Sequence, residues 1–154
     1  MKHKFTIAIP VYNRPEYLRQ AIRSCLAQTV PDFEIVVSDD CSPDDLGSVV
    51  SSFGDSRISY HRSMERLGAA RNHQLSVSLS QGEYVVNLHS DDLLLPTYLE
   101  SAHYKQQTWL LGIRCAGSTA FTLRPQRMRP DAPGHVSQAS AIFTEIPIRL
   151  LIGE

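Results

Sequence analysis

At 154 residues, with 42% hydrophobic and 20% charged residues, the chain has the composition of one folded domain and not of a disordered or low-complexity polymer. Its formal charge of -1 gives no electrostatic reason for nucleic acid or an anionic membrane as partner. No apolar run approaches the roughly 20 residues of a transmembrane helix, and Cys25, Cys41 and Cys115 lack the C-x-x-C spacing of a zinc or redox site, so a disulfide framework is not expected and a cytoplasmic location is.

Phe5 to Val11 is apolar almost throughout, as in a strand covered on both faces, and Pro10 marks its end. Asn13 is placed to cap a helix, with Pro15 in its first turn and Glu16 completing a capping box. Tyr17, Leu18, Ala21, Ile22, Cys25 and Leu26 form its apolar stripe, and the helix stops before Pro31. Phe33 to Ser38 predicts a second strand running into Asp39 and Asp40; Pro43 opens a second helix through about Phe53, closed by Gly54. Arg57 to Arg62 alternates around Ile58 and Tyr60 as a third strand, and a helix follows Gly68 with Leu67, Ala70, Leu75 and Leu79 as its stripe. Gly82 ends that helix before a strand at Tyr84 to Leu88, which leads at once into His89, Ser90, Asp91 and Asp92.

Pro96 starts a fourth helix, with Tyr98, Leu99, Ala102, Trp109 and Leu110 on its buried side, and Cys115 to Leu123 reads as a fifth strand. Beyond it, Arg124, Arg127 and Arg129 interleave with prolines in an unassigned loop, and Ala139 to Leu151 is apolar but interrupted by Pro147. The apolar end suggests that the domain continues in a longer parent chain. Strands alternating with helices predict an α/β architecture, a mainly parallel sheet flanked by helices.

In such a sheet the ends of all parallel strands lie along one edge, where ligands bind in the crevice outside the carboxyl ends. That edge collects Tyr12-Asn13-Arg14, Asp39-Asp40 and Asp91-Asp92. A nucleotide suits the set. An aromatic ring can stack on a base, a carboxylate can accept from a base N–H or a ribose hydroxyl, and a hard divalent cation on Asp91 can neutralise a diphosphate.

The stretches I-A-I-P-V-Y-N-R-P-E-Y-L, A-I-R-S-C-L-A-Q-T-V-P-D-F-E-I-V-V-S-D-D-C-S, L-G-A-A-R-N and G-E-Y-V-V-N-L-H-S-D-D-L-L-L-P, in this order, resemble the nucleotide-binding part of a family 2 glycosyltransferase with the Rossmann-like GT-A fold. The resemblance runs from about Thr6 through Tyr98. It implies that residues 1–123 form a nucleotide-sugar-binding domain, and that 124–154 begin an acceptor-side region truncated here. It implies that Pro10, Val11, Tyr12, Asn13 and Arg14 border the nucleoside, that Asp40 hydrogen-bonds the base, and that Arg71 approaches the base or phosphates. Ser90 and Asp91 would face the diphosphate, and Asp91, with Asp92 and His89, would hold Mn²⁺ or Mg²⁺. His89 stands where the family's D-x-D motif has its first Asp, and an imidazole suits Mn²⁺ better than Mg²⁺.

The reaction implied is inverting transfer of a sugar from a nucleotide-diphosphate donor, UDP- or dTDP-linked, to the hydroxyl of a saccharide or lipid-linked acceptor, as in cell-envelope polysaccharide synthesis. The enzyme would be cytoplasmic or peripheral at the inner face of the membrane, and a homo-oligomer is compatible with the sequence. No general base is assigned, since Asp131, Glu145 and Glu154 are the only acids after Glu100 and none lies in a motif. The alternatives are a nucleotide-diphosphate and metal-binding module without turnover, or an unrelated Rossmann-like cofactor binder. Y-N-R-P-E-Y in place of a glycine-rich phosphate loop argues against the latter.

Overall fold

The computed structural model describes residues 3–102 and two short strands beyond them. The strand β1 (Phe5–Val11) lies at the centre of a four-stranded parallel sheet whose order is β3-β2-β1-β4, with β2 at Phe33–Asp39, β3 at Ile58–Arg62 and β4 at Tyr84–Asn87. Ile7 pairs with Ile35 on one side and Val86 on the other, so β1 satisfies its backbone in two ladders. The chain steps outward from β1 to β3 and then returns to the far side of β1. That reversal leaves a crevice between the carboxyl ends of β1 and β4.

The two faces of the sheet differ in chemistry. Side chains alternate along each strand, and one face carries Phe5, Ile7, Ile9, Val11, Phe33, Ile35, Val37 and Val86 into the apolar core. There they meet Leu18, Ala21, Ile22 and Cys25 of α1 (Pro15–Leu26), Leu46, Val49 and Val50 of α2 (Leu46–Ser51), and Leu94 and Leu99. Each fully buried Ile or Leu contributes about 1.5–3 kcal/mol, so this face carries the stability. The opposite face presents Ala8, Val36, Ser38 and Asn87, small or polar, beneath α3 (Ala69–Ser78).

That difference explains where the sequence expectations fail. The residues α3 buries are Asn72 and Ser76; Ala70 is exposed, and Leu67, Leu75 and Leu79 are half-buried, because the surface below is polar and rewards hydrogen bonds. Asn72 takes a bond from Ser38 Oγ at 2.6 Å and gives one to Ser38 O at 2.8 Å. Tyr17, expected in the α1 stripe, is 37% exposed.

The expected capping box is also absent. The residue before α1 is Arg14, left-handed at φ 63° and without a side-chain cap, and Asn13 is left-handed at φ 59°. The reason is tertiary: Asn13 N–H donates to Ser42 Oγ at 2.8 Å, which fixes the loop from the neighbouring strand. The second helix begins at Leu46 instead of Pro43, because Asp45 caps it by accepting from Ser48 N at 3.0 Å. Hydrogen bonds from Ser48 hold the Asp45 carboxyl below its ordinary range.

After β4, residues 98–102 are helical, with Leu99 buried and Tyr98 and Ala102 packed against the core, while Trp109 and Leu110 lie outside the described residues. Thr119–Phe121 (β5), inside the expected fifth strand, pairs antiparallel with Glu145–Pro147 (β6) and not with the parallel sheet. No helix among the described residues is long and apolar enough to cross a membrane.

At the amino edge, Glu34 accepts from Thr6 Oγ1 and Gln81 N, both at 2.6 Å, and Gly82 N donates to Thr6 Oγ1 at 2.8 Å. A Cβ on Gly82 would stand 2.5 Å from Thr6 N and 2.6 Å from Phe5 C, both backbone atoms of the central strand that cannot step aside. Gly82→Ala is therefore expected to destabilise the chain by about 1–3 kcal/mol, as overpacking does. Urea denaturation checks this, and a variant within ~0.5 kcal/mol of the parent would remove the contact from the account.

Candidate functional site

The carboxyl ends of the four strands carry the polar chemistry of the domain. At the end of β2, Asp39 is fully buried, and its carboxylate accepts from Ser42 N at 3.0 Å, Ser42 Oγ at 2.5 Å and Tyr60 Oη at 2.6 Å, with Arg62 Nε 3.8 Å away. Burial, and then donation to Asp39, push the Tyr60 hydroxyl well above its ordinary pKa, so it remains a donor. A carboxylate so enclosed holds the loop together and has little left for a ligand. Ser42 passes the constraint on to Asn13.

Asp40, only 3% exposed, points the other way along the chain. Its two oxygens accept the backbone N–H groups of Leu67, at 2.6 Å, and Gly68, at 3.0 Å. Gly68, at φ 83°, stands immediately before α3, so Asp40 sets both the entry to that helix and the preceding loop. Asp40 N–H in turn donates to Val11 O at 2.9 Å, and Ser63 N–H to Asp39 O at 2.9 Å. The loops after β1, β2 and β3 are thereby laced into one rim. Asn13, Arg14 and Cys41 all adopt left-handed backbone there, a concentration of strain that surrounding contacts must hold.

Tyr12 is half-buried on this rim, and the guanidinium of Arg66 lies over its ring, 4.0 Å from the centroid. Across the crevice, Arg14 Nη1 reaches Asp91 Oδ2 at 3.3 Å, with both side chains more than half exposed. The pair joins the loop after β1 to the loop after β4. An exposed pair of this kind is worth only ~0–1 kcal/mol, so either partner can exchange the other for a ligand's charge.

Pro10 is half-buried and Val11 buried at the end of β1, and Ser90 is half-buried in the turn after β4. Arg71 is exposed in the first turn of α3. Asp92 is 7% exposed, and its N–H closes the turn onto His89 O at 2.9 Å. His89 is exposed, 6.4 Å from His73 between ring centroids; burial, and then His89, lower the His73 pKa. Of the remaining acids, Glu145 begins β6 and Asp131 lies outside the described residues.

Among the described residues no three His, Cys, Asp or Glu side chains come together as a complete ion cage. A cation on Asp91 would therefore need oxygens from a bound molecule, which is how Mg²⁺ and Mn²⁺ are held where one or two carboxylates act with substrate phosphates. The acceptor chemistry fits: the buried amide oxygens of Asn13, in the loop after β1, and Asn87, ending β4, accept no hydrogen bond from the described residues. A shallow cavity of about 250 Å³ lined by Val50, Gly54, Asp55 and Ile58 lies at the other end of β3, away from these groups.

The residues that sequence reasoning missed are Arg66, Ser42, Tyr60 and the buried role of Asn72. Tyr60 lies in a recognisable alternation; Arg66 carries no periodic or motif signal at all.

The model of the family described as Glycosyl transferase family 2 matches residues 6–110. Glycosyltransferase GlyG of Streptococcus pneumoniae is 28% identical over 109 residues, 70% of this chain and 36% of that protein. The crystal structure of S. aureus TarS 1–349 in complex with UDP superposes at a TM-score of 0.64 and 26% identity, over 68% of this chain and 32% of that one. The mannosyltransferase PcManGT from Pyrobaculum calidifontis, solved in complex with GDP-Man and Mn²⁺, superposes at 0.60 and 23% identity, over 76% of this chain and 34% of its own. The chain spans 16% to 36% of the first curated relatives it matches. The described sheet is part of the GT-A fold, as the resemblance implied.

Removing the Asp40 carboxylate leaves two backbone N–H groups without their acceptor, which costs about 1–3 kcal/mol. Asp40→Ala should lower stability by that amount and speed hydrogen exchange at Leu67 and Gly68 more than at Val86. Equal exchange at all three would contradict the assignment.

Proposed function

The chain belongs to glycosyltransferase family 2, and from that premise we propose that its carboxyl edge binds the nucleotide of a nucleotide-diphosphate sugar, with residues 1–123 as the donor half of the enzyme. The observation that carries the reading is the Arg14–Asp91 pair, 3.3 Å across the mouth of the crevice, on the same edge as Tyr12 and Asp40. A weak exposed ion pair on the same edge as an aromatic ring offers a diphosphate one positive partner and a base one stacking surface.

The roles follow from the chemistry. Tyr12 stacks on the base, with Pro10 and the backbone of Val11 bordering the nucleoside. Asp40 holds the wall of the slot through Leu67 and Gly68; each of its oxygens has two lone pairs, so capacity remains for a base N–H. Arg71 turns toward the base or the phosphates, Asn13 and Ser90 offer polar contacts, and Arg14 pairs with a phosphate oxygen. A divalent cation held by Asp91, in the loop that also carries His89 and Asp92, would supply charge neutralisation on the departing diphosphate. In the transfer, the acceptor hydroxyl oxygen bonds to the anomeric carbon as the bond to the diphosphate oxygen breaks, with inversion, and a carboxylate takes the hydroxyl proton.

The UDP complex of the TarS fragment supports UDP as the first nucleotide to try. The acceptor is a saccharide or lipid-linked hydroxyl, made on the cytoplasmic side of the membrane, and residues 124–154 begin the acceptor region. A second reading is a nucleotide and metal-binding module without turnover. Hydrolysis or transfer from a labelled UDP-sugar separates the two.

A thermal-shift panel of UDP, dTDP, GDP and CDP, with and without Mn²⁺, tests the binding. A ligand at ~100 times its dissociation constant adds about 2.7 kcal/mol of stability. UDP or dTDP should stabilise the chain only with metal present, and Asp91→Ala should abolish the response. A shift that survives in Asp91→Ala would remove Asp91 from the site.

A further inference from the structure

The segment from Ser63 to Gly68 is fastened at both ends and open in the middle. Ser63 N–H donates to Asp39 O at 2.9 Å, Cys41 Sγ approaches Met64 O at 3.7 Å, and Leu67 and Gly68 are held on Asp40. Between these anchors Met64, Glu65 and Arg66 are exposed, Met64 completely. Arg66 does not extend into water as an exposed arginine ordinarily would; its guanidinium covers the Tyr12 ring at 4.0 Å.

We infer that Arg66 is a nucleotide-exchanged gate on the base slot: it covers the stacking surface of Tyr12 in the free protein, yields that surface to a base, and carries its charge to a phosphate of the same ligand. The inference rests on the reading that Tyr12 stacks on a base. A planar guanidinium and a base make the same kind of flat contact with an aromatic ring, so they compete for one surface. The contact given up is weak: an exposed cation–π pair corresponds to about two- to fivefold in an equilibrium constant. Base stacking on an aromatic ring corresponds to roughly five- to 150-fold. The freed guanidinium then gains a charge-assisted contact, for which its fork matches phosphate oxygens. Both halves of the exchange favour the bound state, and the anchors on Asp39 and Asp40 keep Arg66 within reach of the slot.

The two halves act in opposite directions on different ligands, which gives the test. Calorimetric titration of the whole chain with uridine and with UDP, both with Mn²⁺, compares the parent with Arg66→Ala and Arg66→Lys. Arg66→Ala removes a competitor of uridine and a partner of UDP. It should bind uridine about two- to fivefold tighter and UDP at least about fivefold weaker. Arg66→Lys, which keeps the charge without the flat face, should retain more of the UDP affinity than Arg66→Ala. If the parent binds UDP but Arg66→Ala shifts both ligands in the same sense, or neither, the gate is wrong while the nucleotide site stands. If the parent binds neither ligand, the nucleotide reading fails and the gate with it.

Discussion

The central strand β1 has a partner on each side, and that constraint fixes where the candidate site residues leave the sheet. Its parallel ladders with β2 and β4 set Val11 opposite Asp39 and Ala8 opposite Asn87, so that Tyr12, Asp40 and His89 all leave the sheet along one edge. The register is held at the other edge by close contact, since Gly82 passes within van der Waals reach of the backbone of Phe5 and Thr6. Strand pairing that cannot slip is what allows residues up to 77 positions apart, Arg14 and Asp91, to meet at side-chain distance.

The adjacent acids at the strand ends divide their work by burial. Asp39 and Asp40 are enclosed, and their oxygens accept from Ser42, Tyr60 and the Leu67 and Gly68 amides, whereas Asp91 is half-exposed and pairs with Arg14. A buried carboxylate with several donors makes a stiff scaffold, because leaving it unpaired is costly; an exposed one is available, because its ion pair is worth little. The loops of the rim are therefore tightly held around Asp39 and Asp40 and exchangeable at Asp91, where the proposed diphosphate would enter. The same division holds across the sheet: the apolar face supplies stability, and the polar face under α3 is free to carry Ser38 and Asn72 into the loop network.

What was legible in the sequence is what depends on local pattern. Continuous apolar runs located β1, β2 and β4, the helical period located α1, and the acids at strand ends located the edge. The family motifs added the fold, since they fall within residues 6–110, the region that the family model matches. The failures come from contacts between distant residues. Asn13 looked like a cap and is instead held by Ser42; Leu75 and Leu79 looked like the buried stripe of α3, but a polar sheet face selected Asn72 and Ser76. Arg66 and Tyr12 are separated by most of two βα units, and no periodicity relates them.

The central claim, that side chains leaving three different strands serve one nucleotide site at the carboxyl edge, is tested most directly by paramagnetic relaxation. Amide spectra of the ¹⁵N-labelled chain would be recorded with UDP and substoichiometric Mn²⁺, using UDP with Mg²⁺ as the diamagnetic reference. Broadening that falls off as the inverse sixth power of distance should extinguish Asn13, Arg14, Ser90 and Asp91, weaken Cys41 and Leu67, and leave Glu34, Gln81 and Gly82 at the amino edge sharp. Broadening centred on the amino edge, or spread evenly over the chain, would contradict the account.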